Sequence, residues 1–151
     1  MIHGVSIKQL TIHADERGMF TELLREDEEV FTRFGQANFS LNYPGVVRAW
    51  HWHSLQDDLW VVVRGMIKAV LYDPREGSPT KGEVQEVFMG EQNPVLVKIP
   101  IGVIHGYKTI GVDPSALIYF VTKAYSRDDP DEYRLPWNTG EIPYDWDITF
   151  R

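Results

Sequence analysis

The sequence predicts an all-β fold, a sandwich or barrel of short strands. Three observations carry that expectation. Turn residues recur at short intervals: Tyr43-Pro44-Gly45, Arg64-Gly65, Asp73-Pro74, Glu76-Gly77-Ser78-Pro79, Lys81-Gly82, Gln92-Asn93-Pro94, Pro100-Ile101-Gly102 and Val112-Asp113-Pro114. The runs between them are rich in valine, isoleucine and aromatics, which suit a pleated surface. The middle of the chain has no room for the ten or so helical residues of a βαβ crossover.

The elements follow in order. Thr21–Arg33 carries Leu23, Leu24, Val30 and Phe31 among acids, a pattern expected to give one or two helical turns. Leu59–Val63, Ile67–Tyr72, Val84–Met89, Val95–Ile99 and Ala116–Thr122 are the clearest strands. Asp129-Pro130-Asp131-Glu132 reads as a helix start, with a capping acid, proline at the first helical position and acids in the first turn. The last stretch, with Trp137, Tyr144 and Trp146, reads as an aromatic segment packed on a sheet.

Composition narrows the function classes. At 151 residues the chain is expected to be one domain, 1–151. Folding at this length buries roughly 68–70% of the unfolded chain's surface, enough for a core without staples. Hydrophobic residues make up 43% and charged residues 25%, which places the chain with ordinary globular proteins. Cysteine is absent, which excludes disulfides, thiolate metal sites and cysteine nucleophiles. The net charge of −7, without any run of lysine or arginine, argues against nucleic-acid binding. The N-terminal stretch lacks a signal-peptide pattern, and the longest apolar run, Leu59 to Val63, cannot cross a bilayer. The expectation is a soluble cytoplasmic domain with no membrane partner.

The sharpest local feature is Gly45-Val46-Val47-Arg48-Ala49-Trp50-His51-Trp52-His53, followed by Asp58 and Gly65. Residues two apart on a strand share a face, so His51 and His53 point the same way. His105 follows the turn Pro100-Ile101-Gly102. Three imidazoles and a carboxylate converging inside a barrel would make a divalent-metal site for Zn, Ni, Mn or Fe, with His51, His53, Asp58 and His105 as ligands. One geometric condition applies. On a regular strand Arg48 and His51 face opposite sides, so sharing a pocket requires a bulge.

These spacings resemble the two cupin motifs, with Asp58 in place of glutamate and Thr109 in place of asparagine. The resemblance implies a double-stranded β-helix, or jelly-roll barrel. A narrower resemblance runs from residue 15 to residue 125. Asp15-Glu16-Arg17-Gly18-Met19-Phe20-Thr21-Glu22, Gln36-Ala37-Asn38-Phe39-Ser40, Gly45–His51, Asp73–Gly82, Pro100–Tyr107 and Ala116–Tyr119 with Tyr125 resemble, in order, motifs of the dTDP-4-dehydrorhamnose 3,5-epimerases. The resemblance implies proton abstraction beside the ketone of a nucleoside-diphosphate 4-keto-6-deoxy sugar, with no cofactor, in deoxysugar and polysaccharide biosynthesis. His51 would be the base and Tyr119 the acid. Arg17, Phe20, Glu22, Gln36, Asn38, Arg48, His105 and Tyr125 would hold the substrate. A homodimer is implied, with the Arg17–Glu22 segment reaching the second copy's site.

The chain also departs from that pattern. Asp58 stands where the family carries lysine, and Ala49 where it carries glycine. The family's aspartate that orients the histidine comes from a tail beyond position 151, so Asp57 or Asp58 is the expected substitute. Three other readings follow from these departures. One is a metal cupin acting as isomerase or oxygenase. Another is a sugar-nucleotide 3,4-ketoisomerase, whose motif Arg48–His53 also resembles. The last is a non-catalytic cupin that binds sugar nucleotides. Trp50, Trp52 and Trp60 are expected as packing residues, Arg75 as a turn anchor, and Glu26–Glu29 as a solvated face.

Overall fold

The structure is a computed structural model that describes residues 1–148. The described residues contain strands, turns and irregular segments, with no helix. The strands are β1 (Ser6–Gln9), β2 (His13–Asp15), β3 (Gly18–Phe20), β4 (Gln36–Asn42), β5 (Val47–Trp52), β6 (Asp58–Arg64), β7 (Met66–Tyr72), β8 (Val84–Gly90), β9 (Val95–Ile99), β10 (Ile104–Ile110), β11 (Ser115–Val121) and β12 (Tyr133–Arg134). One five-stranded sheet runs β1-β9-β6-β11-β4, a second runs β12-β5-β10-β7-β8, and β2-β3 form a separate hairpin. Every pairing is antiparallel. The five strands read from the sequence are β6, β7, β8, β9 and β11, each within a residue of its expected bounds.

Between the two sheets lies the main core, which includes Trp60, Ile67, Leu71, Met89, Val97, Ile99 and Leu117. Residues of the same strands that point outward are also buried. Val70 and Ile104 pack under Trp50, Ile142, Tyr144 and Trp146. Leu59, Val61 and Leu96 pack under Leu23, Leu24 and Val30. Irregular segments therefore cover both outer faces. This explains why Leu59–Val63 of β6 and, apart from Lys68, β7 are apolar on both faces rather than alternating. Of the aromatic C-terminal segment, Tyr144 and Trp146 pack on the sheet as expected, whereas Trp137 is 55% exposed.

Two expected helical turns do not form. Thr21–Arg33 folds as turns, because its leucines are pinned to the outer face of β6 and β9 and its charges are engaged at fixed points. Arg25 ties Glu22 and Asp27, and Glu28 pairs with Lys8 of β1. Tertiary contacts override local propensity here. In the second case, the Asp131 carboxylate does cap free backbone donors, but they belong to Ser54 at 2.8 Å and Leu55 at 2.7 Å. The chain after it becomes β12, paired to β5.

Strand β4 inverts the usual pattern. Its polar Gln36, Asn38 and Ser40 line the interior, while Ala37, Phe39 and Leu41 are exposed. The interior at that end is a polar cavity rather than packed core. Arg75 is a turn anchor, as expected: its guanidinium holds buried Asp73 at 2.8 Å and reaches the carbonyl of His3.

The β5–β10 pairing contains an irregularity on which the site depends. His105 pairs with His51 and Tyr107 with Arg48, so Ala49 and Trp50 both face Gly106. Two residues opposite one is a β-bulge. Gly106 is required there, since a Cβ would sit 2.4 Å from the Ala49 Cβ. Overpacking of this kind costs about 1–3 kcal/mol. At roughly 2–4 °C per kcal/mol for a chain of this size, Gly106→Ala should lower Tm by about 2–12 °C in a thermal melt. Adding Ala49→Gly should recover part of the loss, because that Cβ is the nearest obstacle. An unchanged melting temperature in Gly106→Ala would show that the strands are not this close.

Candidate active site

The bulge turns Arg48 and His51 toward the same side, meeting the condition that the regular strand could not. Trp50, between them, goes to the outer cluster and is fully buried. Arg48, His51 and His53 line a cavity of about 420 Å³ between the two sheets. Tyr119 on β11, His105 and Tyr107 on β10, and Asp58 and Trp60 on β6 complete its inner wall. Gln36 and Asn38 of β4, Tyr125, and Asp131, Glu132 and Arg134 are also part of its lining.

His51 Nδ1 lies 3.3 Å from Glu132 Oε1, without a well-aligned hydrogen bond. The same Glu132 oxygen accepts from Arg134 Nη2 at 2.8 Å. Burial lowers the His51 pKa below its ordinary value, against the opposing pull of Glu132. The ring is therefore neutral and basic at neutral pH. Glu132, rather than Asp57 or Asp58, is the carboxylate that stands beside His51. Asp57 instead accepts from the backbone of Ile101 and pairs with Lys98. Across the cavity, burial raises the Tyr119 pKa, and the nearby Asp58 carboxylate raises it further. The phenol keeps its proton and can serve as a donor. Gln36 is preset by two contacts: it donates to Asn38 Oδ1 at 2.6 Å and accepts from the Tyr125 amide at 3.0 Å.

The four-residue metal set is corrected to three. His53, Asp58 and His105 bring their ligand atoms within 4.8 Å of one another, and His51 is not in the group. Its ring is turned to Glu132 instead. His53 Nε2 is 3.6 Å from Asp58 Oδ1, and His105 Nε2 is 3.7 Å from Asp58 Oδ2. Gln56 and Trp60 each donate to one Asp58 oxygen, at 3.1 and 3.2 Å. Desolvation pushes the His105 pKa well down, so this ring too is held neutral.

Arg17, Phe20 and Glu22 are not brought to this cavity. They lie on or just after the β2–β3 hairpin. Arg17 is bound to Asp15, Glu22 to Arg25, and Phe20 is 63% exposed. Glu132 and Arg134 belong to the site but were not singled out in the sequence. A usable signal was present: a Glu and an Arg two apart in an extended segment share a face, as His51 and His53 do. Trp60 is a packing residue, edge-on to His105 and Tyr107, and Trp52 stacks on Tyr133.

Comparison with known proteins places this architecture. Residues 1–151 match the family model described as dTDP-4-dehydrorhamnose 3,5-epimerase. The chain is 50% identical to the spore coat polysaccharide biosynthesis protein SpsL of Bacillus subtilis, over the full length of both. It is 43% identical to the probable low-salt glycan biosynthesis epimerase Agl13 of Haloferax volcanii, over 96% of this chain and 94% of that one. Among solved structures, the dTDP sugar isomerase of Desulfovibrio desulfuricans G20 superposes with a TM-score of 0.91 at 33% identity, covering 96% of this chain and 92% of that one. The all-β jelly roll of the cupins is the fold, and the chain belongs to the dTDP-4-dehydrorhamnose 3,5-epimerase family of sugar-nucleotide isomerases.

Proposed function

We propose that the chain, as one cupin domain spanning 1–151, epimerises a nucleoside-diphosphate 4-keto-6-deoxy sugar in polysaccharide biosynthesis. The observation that carries this reading is the placement of His51 and Tyr119. They stand on β5 and β11, in opposite sheets, and line one cavity. A sugar ring held between the sheets would meet a base on one face and an acid on the other.

The step balances without a redox partner. With Nδ1–H directed to Glu132, Nε2 of His51 is the basic nitrogen. It takes the proton from the carbon next to the ketone, and the C–H electron pair moves onto the C4 oxygen as an enolate. The enolate collapses as the Tyr119 hydroxyl protonates the same carbon from the opposite face. Arg48 and Arg134 supply positive charge to the cavity of an acidic chain, where planar guanidinium forks suit phosphate oxygens. Gln36, Asn38 and Tyr125 offer donors and acceptors for the rest of the substrate.

The reading includes a cytoplasmic homodimer. Phe20, Phe39 and Leu41 are large apolar residues left exposed on the β2–β3 hairpin and on edge strand β4. An unpaired sheet edge bearing such residues favours pairing with a second chain. In that dimer the hairpin would carry Arg17, Phe20 and Glu22 to the second copy's cavity.

Two sets of variants test the reading. His51→Asn should lose roughly 10²–10⁴-fold in turnover of a 4-keto-6-deoxy sugar nucleotide, since it removes the base. Tyr119→Phe should lose inversion to a similar degree yet retain proton exchange from the His51 face. Both should melt within a few degrees of wild type, because neither empties apolar core. Full turnover by His51→Asn would overturn the mechanism. For the dimer, light scattering should give the mass of two chains. Arg17→Ala with Phe20→Ala should raise KM far more than it lowers kcat. A monomer, or an unchanged KM, would remove the crossing hairpin from the reading.

A further inference from the structure

His53, Asp58 and His105 leave a problem of charge at the inner wall of the cavity. Nδ1 of His53 faces the carbonyl of Asp131, and Nδ1 of His105 faces that of Val103 at 2.9 Å. A carbonyl oxygen only accepts, so both Nδ1 atoms carry the ring proton. Nε2 is then the nitrogen that each ring can offer to a ligand. Those two nitrogens stand 3.6 and 3.7 Å from the two oxygens of one carboxylate, all three groups converging on one point of the inner wall. The separations are too long for hydrogen bonds. Asp58 is itself 3% exposed, and among the described residues no lysine or arginine pairs with it. A buried carboxylate without a cation is costly.

A divalent cation resolves this conflict. Donor atoms on arms of about 2.0–2.1 Å at tetrahedral angles stand about 3.3–3.4 Å apart, and the ligand atoms of His53, Asp58 and His105 already lie within 4.8 Å of one another, so side-chain shifts bring the set onto one ion. The surroundings also have the form that orients metal ligands. Each histidine is fixed through its other nitrogen by a carbonyl, and the carboxylate is fixed by Gln56 and Trp60.

We infer that His53 Nε2, the Asp58 carboxylate and His105 Nε2 bind one divalent transition-metal ion, with its remaining positions open to the cavity. Two imidazoles with one carboxylate suit zinc, iron(II), cobalt, nickel or manganese better than calcium or magnesium. His51 is left out of the ligand set and stays free as a base. Where the epimerase reading holds, the consequence is specific: an ion beside the ketone oxygen would withdraw charge from the enolate. That consequence rests on the proposed function, whereas the metal site itself does not.

The test separates the two. Wild-type protein, stripped with chelator and titrated with zinc chloride in a calorimeter, should bind one equivalent, and its Tm should rise with zinc. Cobalt(II) should give the visible absorption of a low-coordinate nitrogen–oxygen site. His53→Gln and Asp58→Asn should lose the bound equivalent and the Tm rise, while His51→Asn keeps both. Asp58→Lys, which places a cation of its own there, should fold and bind no zinc. If a variant fails to fold, the wild-type stoichiometry and cobalt spectrum still decide. Absence of zinc binding by the wild type, or binding that survives in both folded His53→Gln and Asp58→Asn, would overturn the site whatever the epimerase assay shows.

Discussion

The site depends on one backbone constraint, the two-against-one pairing of Ala49 and Trp50 with Gly106. A strand alternates its side chains, so without the extra residue Arg48 and His51 would point to opposite sides of the sheet. The bulge sends Trp50 outward to the aromatic cluster under Trp146 and Tyr144 while Arg48 and His51 enter the cavity together. Gly106 makes this possible by having no side chain to meet Ala49. Packing on the outer face and chemistry on the inner face are thus coupled through a few residues of one strand.

A second segment, Asp131 to Arg134, serves the site from outside the two central strands. The Asp131 carboxylate ties it to Ser54 and Leu55, and its carbonyl accepts from His53. Glu132, itself held by Arg134, stands beside His51. One short stretch therefore orients both histidines of the His-x-His motif, and orients them differently. His51 has its Nδ1 3.3 Å from the Glu132 carboxylate. His53 is fixed through a carbonyl, with its other nitrogen turned to Asp58. The motif looks symmetrical in sequence, but the structure gives its two histidines different neighbours.

Much of this was legible in the chain. The apolar runs between turn residues marked the central strands, because burial on both faces writes itself as continuous valine, leucine and isoleucine. The spacing of His51, His53, Asp58 and His105 marked four residues that line one cavity. Strand β4 was not legible as a strand, since its inward residues are polar and its outward ones apolar, the reverse of what core packing produces. Thr21–Arg33 suggested helix because its apolar pairs, Leu23-Leu24 and Val30-Phe31, stand seven residues apart among acids. Its actual conformation is set by a sheet face far away in sequence. Glu132 was hidden because a cluster of acids before a proline-containing turn resembles a helix cap. Its pairing with His51 exists only through the β12–β5 register.

The account's central claim is that a base and an acid on opposed sheets exchange a ketosugar's proton with solvent. Proton NMR of a nucleoside-diphosphate 4-keto-6-deoxy sugar incubated with the wild-type protein in heavy water tests it most directly. The account predicts that the signal at carbon 3, carbon 5 or both disappears as solvent deuterium enters, with the label present in the inverted product. An inverted product that keeps its original protons, or a bound ketosugar that exchanges none, would contradict it.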